Sequence, residues 1–215
     1  EWQIFKHIYT QEREYIDAST FATLLTQALE VLPFQIQNLQ YNLLNSHDIH
    51  RMNSFSTIDL NSQMQTASLL MFHPGIANIY YGEEIALEGH YKSVEGCRYP
   101  MQWNNSLHDN PLKNVYKKLS WMRRHSIFKL GSYRILKAEG GTFIAIRFDE
   151  KDCALLAINR QSQGAELTLN LSPYLHRSQR SNLSELFTDD QLRIDESGYL
   201  KMNLKSNDCQ LLISW

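Results

Sequence analysis

Residues 41–51 read YNLLNSHDIHR, and residues 77–84 read ANIYYGEE. Each is a short apolar run that ends in polar or charged groups. The segment between them, residues 62–72, has helical periodicity and closes on His73-Pro74-Gly75. A strand, a helix and a second strand in that order predict a unit with parallel strands, because parallel neighbours need a long crossover. In α/β barrels the active site sits at the C-terminal ends of such strands. That is where Ser46-His47-Asp48 and Tyr80-Tyr81-Gly82-Glu83-Glu84 fall.

Before the first run, Phe21, Leu24, Leu25, Ala28, Leu29 and Leu32 predict a helix that Pro33 ends. Trp2, Phe5, Ile8 and Tyr9 also have helical spacing. After the second run, Gly82 to Asp109 has no period, and a loop of that length inside a compact domain is usually functional or disordered. Asn110 and Pro111 are an N-cap and a first-turn proline. The helix they open carries the stripe Leu112, Val115, Tyr116, Leu119 and Met122. From Gly131 the period becomes two, in TFIAIRF, CALLAIN, AELTLNL, YLKMNL and CQLLISW. These predict a small antiparallel sandwich. The fold class expected is α/β plus all-β, with one boundary between residues 1–130 and 131–215.

The chain has 215 residues, 43% of them hydrophobic and 20% charged, which is ordinary globular composition. A net charge of -2 gives no reason to expect nucleic acid or an anionic membrane as a partner. No apolar run approaches the roughly 20 residues of a membrane helix. The start lacks the apolar core and cleavage site of a signal peptide. Cys97, Cys153 and Cys209 are odd in number and widely spaced, without a zinc or disulfide pattern. Free thiols suit a cytoplasmic setting.

Three clusters can do chemistry. In Asn45-Ser46-His47-Asp48, with Arg51, a carboxylate beside an imidazole and a guanidinium can bind sugar hydroxyls or stabilise a cationic sugar ring. A polar turn with Asp48 capping the next helix is the alternative on spacing alone. A serine-hydrolase relay is excluded, because adjacent strand residues point to opposite faces. Pro74 to Glu84 can form an aromatic and acidic cleft wall, or a buried strand with a solvated turn. Cys97-Arg98-Tyr99-Pro100-Met101-Gln102-Trp103-Asn104 can bind sugar through aromatic faces and amide or guanidinium groups. It can equally be a loop pinned by Trp103.

Taken in order, LLNSHDIHR, PGIANIYYGEEIAL and GCRYPMQWN resemble three motifs of the α-amylase family of glycoside hydrolases, most of all its neopullulanase and cyclomaltodextrinase branch. The match spans most of residues 17–215. It implies the last strand–helix units of a TIM barrel, then an antiparallel β-sandwich C-terminal domain. It further implies Asp48 as the carboxylate that stabilises the transition state, and His47 and Arg98 as substrate-binding residues. Arg51, Tyr80, Tyr81 and Trp103 take orienting or structural roles. The partner implied is an α-glucan oligosaccharide, with no cofactor and no metal.

There are departures. His50 stands where the motif has a small residue or proline, and Val94-Glu95 replace Asp-Pro ahead of Cys-Arg. A retaining glycosidase also needs a nucleophile and an acid/base carboxylate about 5 Å apart. In this family they lie on earlier barrel strands, and only 47 residues precede Asp48, against about 250 for a whole barrel. The expectation is a chain that is inactive alone and self-associates through exposed barrel surface. Competing readings are a transglycosylase, a barrel-derived scaffold without catalysis, and a sugar-binding module on the β tail.

Overall fold

The computed structural model describes residues 2–7, 12–55, 58–89, 96–103, 109–175 and 182–215. They fall into two compact units, residues 39–124 and residues 1–38 with 125–215. The sequence placed one boundary at 130.

In the 39–124 unit, β3 (Tyr41–Leu43) and β4 (Ile76–Asn78) pair in parallel, with Tyr41 beside Ile76 and Leu43 beside Asn78. The helix α3 (Leu60–Phe72) connects them, its first turn closed by Asp59, which accepts from the Ser62 amide. The helix α4 (Pro111–Met122) starts as expected, with the Asn110 side chain accepting from the Leu112 amide. Its stripe of Leu112, Val115, Tyr116, Leu119 and Met122 is buried, and it packs against α3. Just past α4, the Arg123 guanidinium donates to the carbonyls of Met71, His73 and Gly75. One partly buried cation thus gathers carbonyls at the end of α3 and in the turn after it. Burial lowers its pKa to about 10.

The strand expected over 77–81 runs instead over Ile76–Asn78. Tyr80 and Tyr81 leave the ladder because their hydroxyls and the Tyr81 carbonyl serve other partners. Gly82 then turns the chain at φ +84°, where an added Cβ would lie 2.7 Å from Leu87. A 3₁₀ turn over Glu83–Ile85 follows.

The other unit joins the β tail to the N-terminal segment. The strands β5 (Ser132–Glu139), β6 (Thr142–Phe148), β7 (Cys153–Asn159), β9 (Asn182–Glu185), β10 (Gln191–Arg193) and β12 (Asp208–Ile213) form one antiparallel sheet in the order β10-β9-β12-β7-β6-β5. A ribbon of β8 (Ala165–Asn170) and β11 (Tyr199–Leu204) lies against it. Leu167 and Leu169 from one ribbon strand, and Leu200, Met202 and Leu204 from the other, alternate inward. They meet Ile144, Ile146, Leu155 and Ala157 of the sheet. This is the expected sandwich, with β5, β9 and β10 added to the strands read from the sequence.

The helix expected over Phe21–Leu32 is α1 (Ala18–Glu30), followed by a short α2 (Phe34–Gln37) behind Pro33. The Ala18 amide donates to the Gly140 carbonyl at 2.8 Å, and the Phe21 ring meets Phe143 edge-on at 5.6 Å. Those contacts put α1 with the sandwich rather than with residues 39–124. The helical spacing read at Trp2 and Phe5 is overturned: β1 (Trp2–His7) pairs antiparallel with β2 (Glu12–Ile16), Trp2 opposite Ile16. Trp2 and Ile4 satisfy a period of two as well as Trp2 and Phe5 satisfy a helical one, and the pairing partner decides. Ile8 and Tyr9 lie outside the described residues. A short helix α5 (Ile127–Leu130) precedes β5, its end held by fully buried Arg147, which donates to the carbonyls of Ile127 and Gly131.

Candidate functional site

At the end of β3 the chain turns through Asn45-Ser46-His47-Asp48, and the Asp48 amide donates to the Ser46 hydroxyl at 3.1 Å. That turn aims the Asp48 carboxylate outward. One oxygen accepts from Arg98 Nη2 at 2.8 Å, and the other lies 3.0 Å from His47 Nε2. The side chains of Asp48, His47 and Arg98 are 65%, 58% and 62% exposed. Two of the clusters read from the sequence, 50 residues apart, therefore meet at one carboxylate. Exposed ion pairs contribute little stability, at most about 1 kcal/mol. The grouping is an open polar surface with two donors and an acceptor, suited to exchanging its partners for ligand hydroxyls.

Below this surface lies a buried layer centred on Arg51, which is 0% exposed. Its Nη1 donates to the Tyr81 carbonyl at 2.6 Å and to Glu83 Oε1 at 3.1 Å. Its Nη2 donates to the Cys97 carbonyl at 3.3 Å. The guanidinium carbon lies 4.4 Å from the Tyr80 ring centre and 4.7 Å from that of Tyr81. The Tyr80 hydroxyl donates to the same Cys97 carbonyl at 3.1 Å, and the Tyr81 hydroxyl to the Tyr99 carbonyl at 2.6 Å. The Arg51 amide donates to the Gly89 carbonyl, which also accepts from Ser54 Oγ and Cys97 Sγ. Gly89 is required here, because a Cβ would stand 3.0 Å from the Gly96 carbonyl and 3.1 Å from the Cys97 Cα.

Burial dominates the titration of this layer. It pushes the Glu83 carboxyl up to about 7, against the pull of Arg51. It likewise raises the Tyr80 phenol to about 12 and the Cys97 thiol above its usual range. Cys97 and Cys153 are buried, and Cys209 is partly buried.

The remaining sequence candidates are distributed as follows. Trp103 is 78% exposed, so it is not a buried pin for its loop. His50 is buried, its ring 5.4 Å from that of Phe55. Val94, Glu95 and Asn104 lie outside the described residues. The carboxylates after the second strand were read as a cleft wall or a solvated turn. Instead Glu83 is buried on Arg51, and only Glu84 lines a cleft, of about 600 Å³, with Tyr81, Tyr116 and Trp121. That cleft does not include Asp48. Glu83, Ser46 and Cys97 stand in the three clusters, but the sequence did not disclose the contacts of the Glu83 carboxylate, the Ser46 hydroxyl and the Cys97 carbonyl. Their partners stand 32, 2 and 46 positions away, and only the Ser46 contact has a local signal, a hydroxyl two residues before the amide from which it accepts.

With this geometry in place, the chain is a relative of the C-terminal part of α-amylase family glycoside hydrolases. Its relatives within that family include cyclomaltodextrinases, a maltogenic α-amylase and a neopullulanase. A cyclomaltodextrinase of a Bacillus species is 32% identical over 155 residues, 70% of this chain and 27% of that enzyme. Neopullulanase 2 of Thermoactinomyces vulgaris is 34% identical over 109 residues, 50% of this chain and 18% of that enzyme. A solved cyclomaltodextrinase structure superposes with a TM-score of 0.78 at 25% identity, over 91% of this chain and 33% of its own. The chain thus spans about a third or less of the length of these relatives. No family model matches it. Among the described residues no helix is long and apolar enough to cross a membrane.

Proposed function

We propose that these 215 residues form the C-terminal part of a retaining glycoside hydrolase acting on α-linked glucans. In this reading β3–α3–β4 and α4 are the last strand–helix units of a TIM barrel, and the sandwich is the appended C-terminal domain. The observation that carries the reading is the exposed Asp48 carboxylate at a strand end, flanked by Arg98 and His47.

The roles follow from the chemistry. An oligosaccharide ring entering over Asp48 replaces Arg98 and His47 as partners of the carboxylate with its own hydroxyls. As the glycosidic bond breaks, positive charge develops on the ring, and a fixed carboxylate beside it interacts more strongly with that state than with the ground state. His47 and Arg98 then donate to hydroxyls of the same and a neighbouring sugar. Arg51, Tyr80 and Tyr81 hold the strand ends and contact no substrate. Glu83 is committed to Arg51 and serves as neither nucleophile nor acid/base; in this reading those two carboxylates belong to the earlier barrel strands of the parent enzyme.

The 215-residue chain alone is accordingly inactive on maltooligosaccharides. The test is sugar release from a maltooligosaccharide by the purified chain. No release above the buffer rate is expected, and release that disappears in Asp48→Asn would overturn the reading. Tyr41 and Ile76, at 62% and 48% exposed, supply apolar sheet surface through which the isolated chain self-associates.

A further inference from the structure

Arg98 is the long-range partner of Asp48, yet it sits in a loop with no regular structure. What places it is the peptide units on either side. The Cys97 carbonyl belongs to the planar peptide unit that contains the Arg98 nitrogen and Cα, so fixing that oxygen fixes the base of the Arg98 side chain. Two donors fix it, Arg51 Nη2 at 3.3 Å and the Tyr80 hydroxyl at 3.1 Å. The Tyr99 carbonyl on the far side is held by the Tyr81 hydroxyl at 2.6 Å.

Arg51 therefore controls one anchor directly and borders both tyrosines that supply the others. A guanidinium packed against two rings is free to rotate in its own plane unless its donors are spoken for. Nη1 is spoken for twice, by the Tyr81 carbonyl and by Glu83 Oε1 at 3.1 Å. Glu83 is its one side-chain acceptor among these bonds. It is held in place by the 3₁₀ turn that Gly82 begins, and it is itself buried. Its contact with Arg51 needs an acceptor oxygen rather than a full charge, which suits a site where burial favours the neutral carboxyl.

We propose that Glu83 is a positioning residue for substrate binding: by orienting the Arg51 guanidinium it sets the Cys97 carbonyl, and through it the place from which Arg98 reaches Asp48 and the sugar. This rests on the sugar-binding role given above to Arg98. Glu83 touches neither Asp48 nor substrate, and its effect is exerted on affinity rather than on the bond-breaking step.

The experiment is a double-variant cycle in the full-length enzyme that carries this chain, with KM and kcat measured on a maltooligosaccharide. Glu83→Leu, which removes the acceptor, is expected to raise KM about fivefold while changing kcat less than about twofold. Glu83→Gln, which keeps an acceptor oxygen, restores KM to near the wild-type value. In an Arg98→Ala background, Glu83→Leu adds no further rise, because the two substitutions remove the same interaction. If the rises multiply, or if Glu83→Gln is as damaging as Glu83→Leu, Glu83 does not act through Arg98 and the proposal fails. If Arg98→Ala alone leaves KM unchanged, it is the sugar-binding reading that fails. Should Glu83→Leu not fold, Tyr80→Phe carries the same cycle. It removes only one of the two donors on the Cys97 carbonyl, and its smaller KM rise must likewise vanish in Arg98→Ala.

Discussion

In the sandwich, Ile144, Ile146, Leu155 and Ala157 close on Leu167, Leu169, Leu200 and Met202, and six strands pair into one sheet. In the 39–124 unit the sheet has two strands of three residues, and Tyr41, Leu43 and Ile76 are exposed on it. There α3 and α4 bury an apolar interface, and two guanidiniums, one buried and one partly buried, order the strand ends and turns. Arg51 gathers Tyr81, Glu83 and Cys97, and Arg123 gathers Met71, His73 and Gly75. The contrast shows that a sheet can specify itself by apolar area. A β–α–β unit with so little sheet relies as well on a few multidentate polar contacts. It is also why the candidate site is on the second unit. Strand ends that diverge into loops present backbone carbonyls and charged side chains, and a closed sandwich presents few.

The sharpest way to break this contrast is Arg51→Ala. It leaves Glu83 buried without its cation, the Tyr81 carbonyl without its donor and the Cys97 carbonyl with one donor of two, which costs about 3–5 kcal/mol. Hydrogen exchange is expected to show lost protection in α3 and α4, with β6 and β7 still protected. Equal loss in β6 and β7 would mean that the two regions are not stabilised separately.

A smaller effect comes from pH. The Glu83 carboxyl rises from the ordinary 4.5 to about 7 through burial, against Arg51. Between those values the native state keeps a proton that the unfolded chain has lost. Stability from this group is therefore full below about 4.5 and is lost as pH rises through 7, by about 3 kcal/mol. The urea midpoint of the 39–124 unit should fall between about pH 5 and about pH 8 in the wild type and stay flatter in Glu83→Gln. A midpoint that rises with pH in the wild type would contradict the sign.

The sequence disclosed these two regions unequally. β6 and β7 are TFIAIRF and CALLAIN, unbroken enough to be read outright, and β8 and β11 alternate clearly. β9 and β10 are NLSE and QLR, too short to show a period, and only pairing with neighbours makes them strands. β1 fits two periods at once, and its partner β2 decided between them. Arg147 hides inside an apolar run because its donors go to carbonyls 16 and 20 residues back. At the site, His47, Asp48 and Arg98 were legible as residue types in ordered motifs. The meeting of Arg98 with Asp48 was not, nor was the burial of Glu83 on Arg51. Contacts across 50 and 32 residues leave no local trace in a single chain.

The central claim, that Asp48 is a transition-state carboxylate, is tested most directly by Asp48→Asn in the full-length enzyme. Asp48 is 65% exposed, and among the described residues its carboxylate is paired with side chains that are themselves exposed, so the fold and thermal midpoint should stay as in the wild type. The account predicts that kcat on a maltooligosaccharide falls by about a hundredfold to a thousandfold. Turnover within twofold of wild type, from a folded variant, would contradict it.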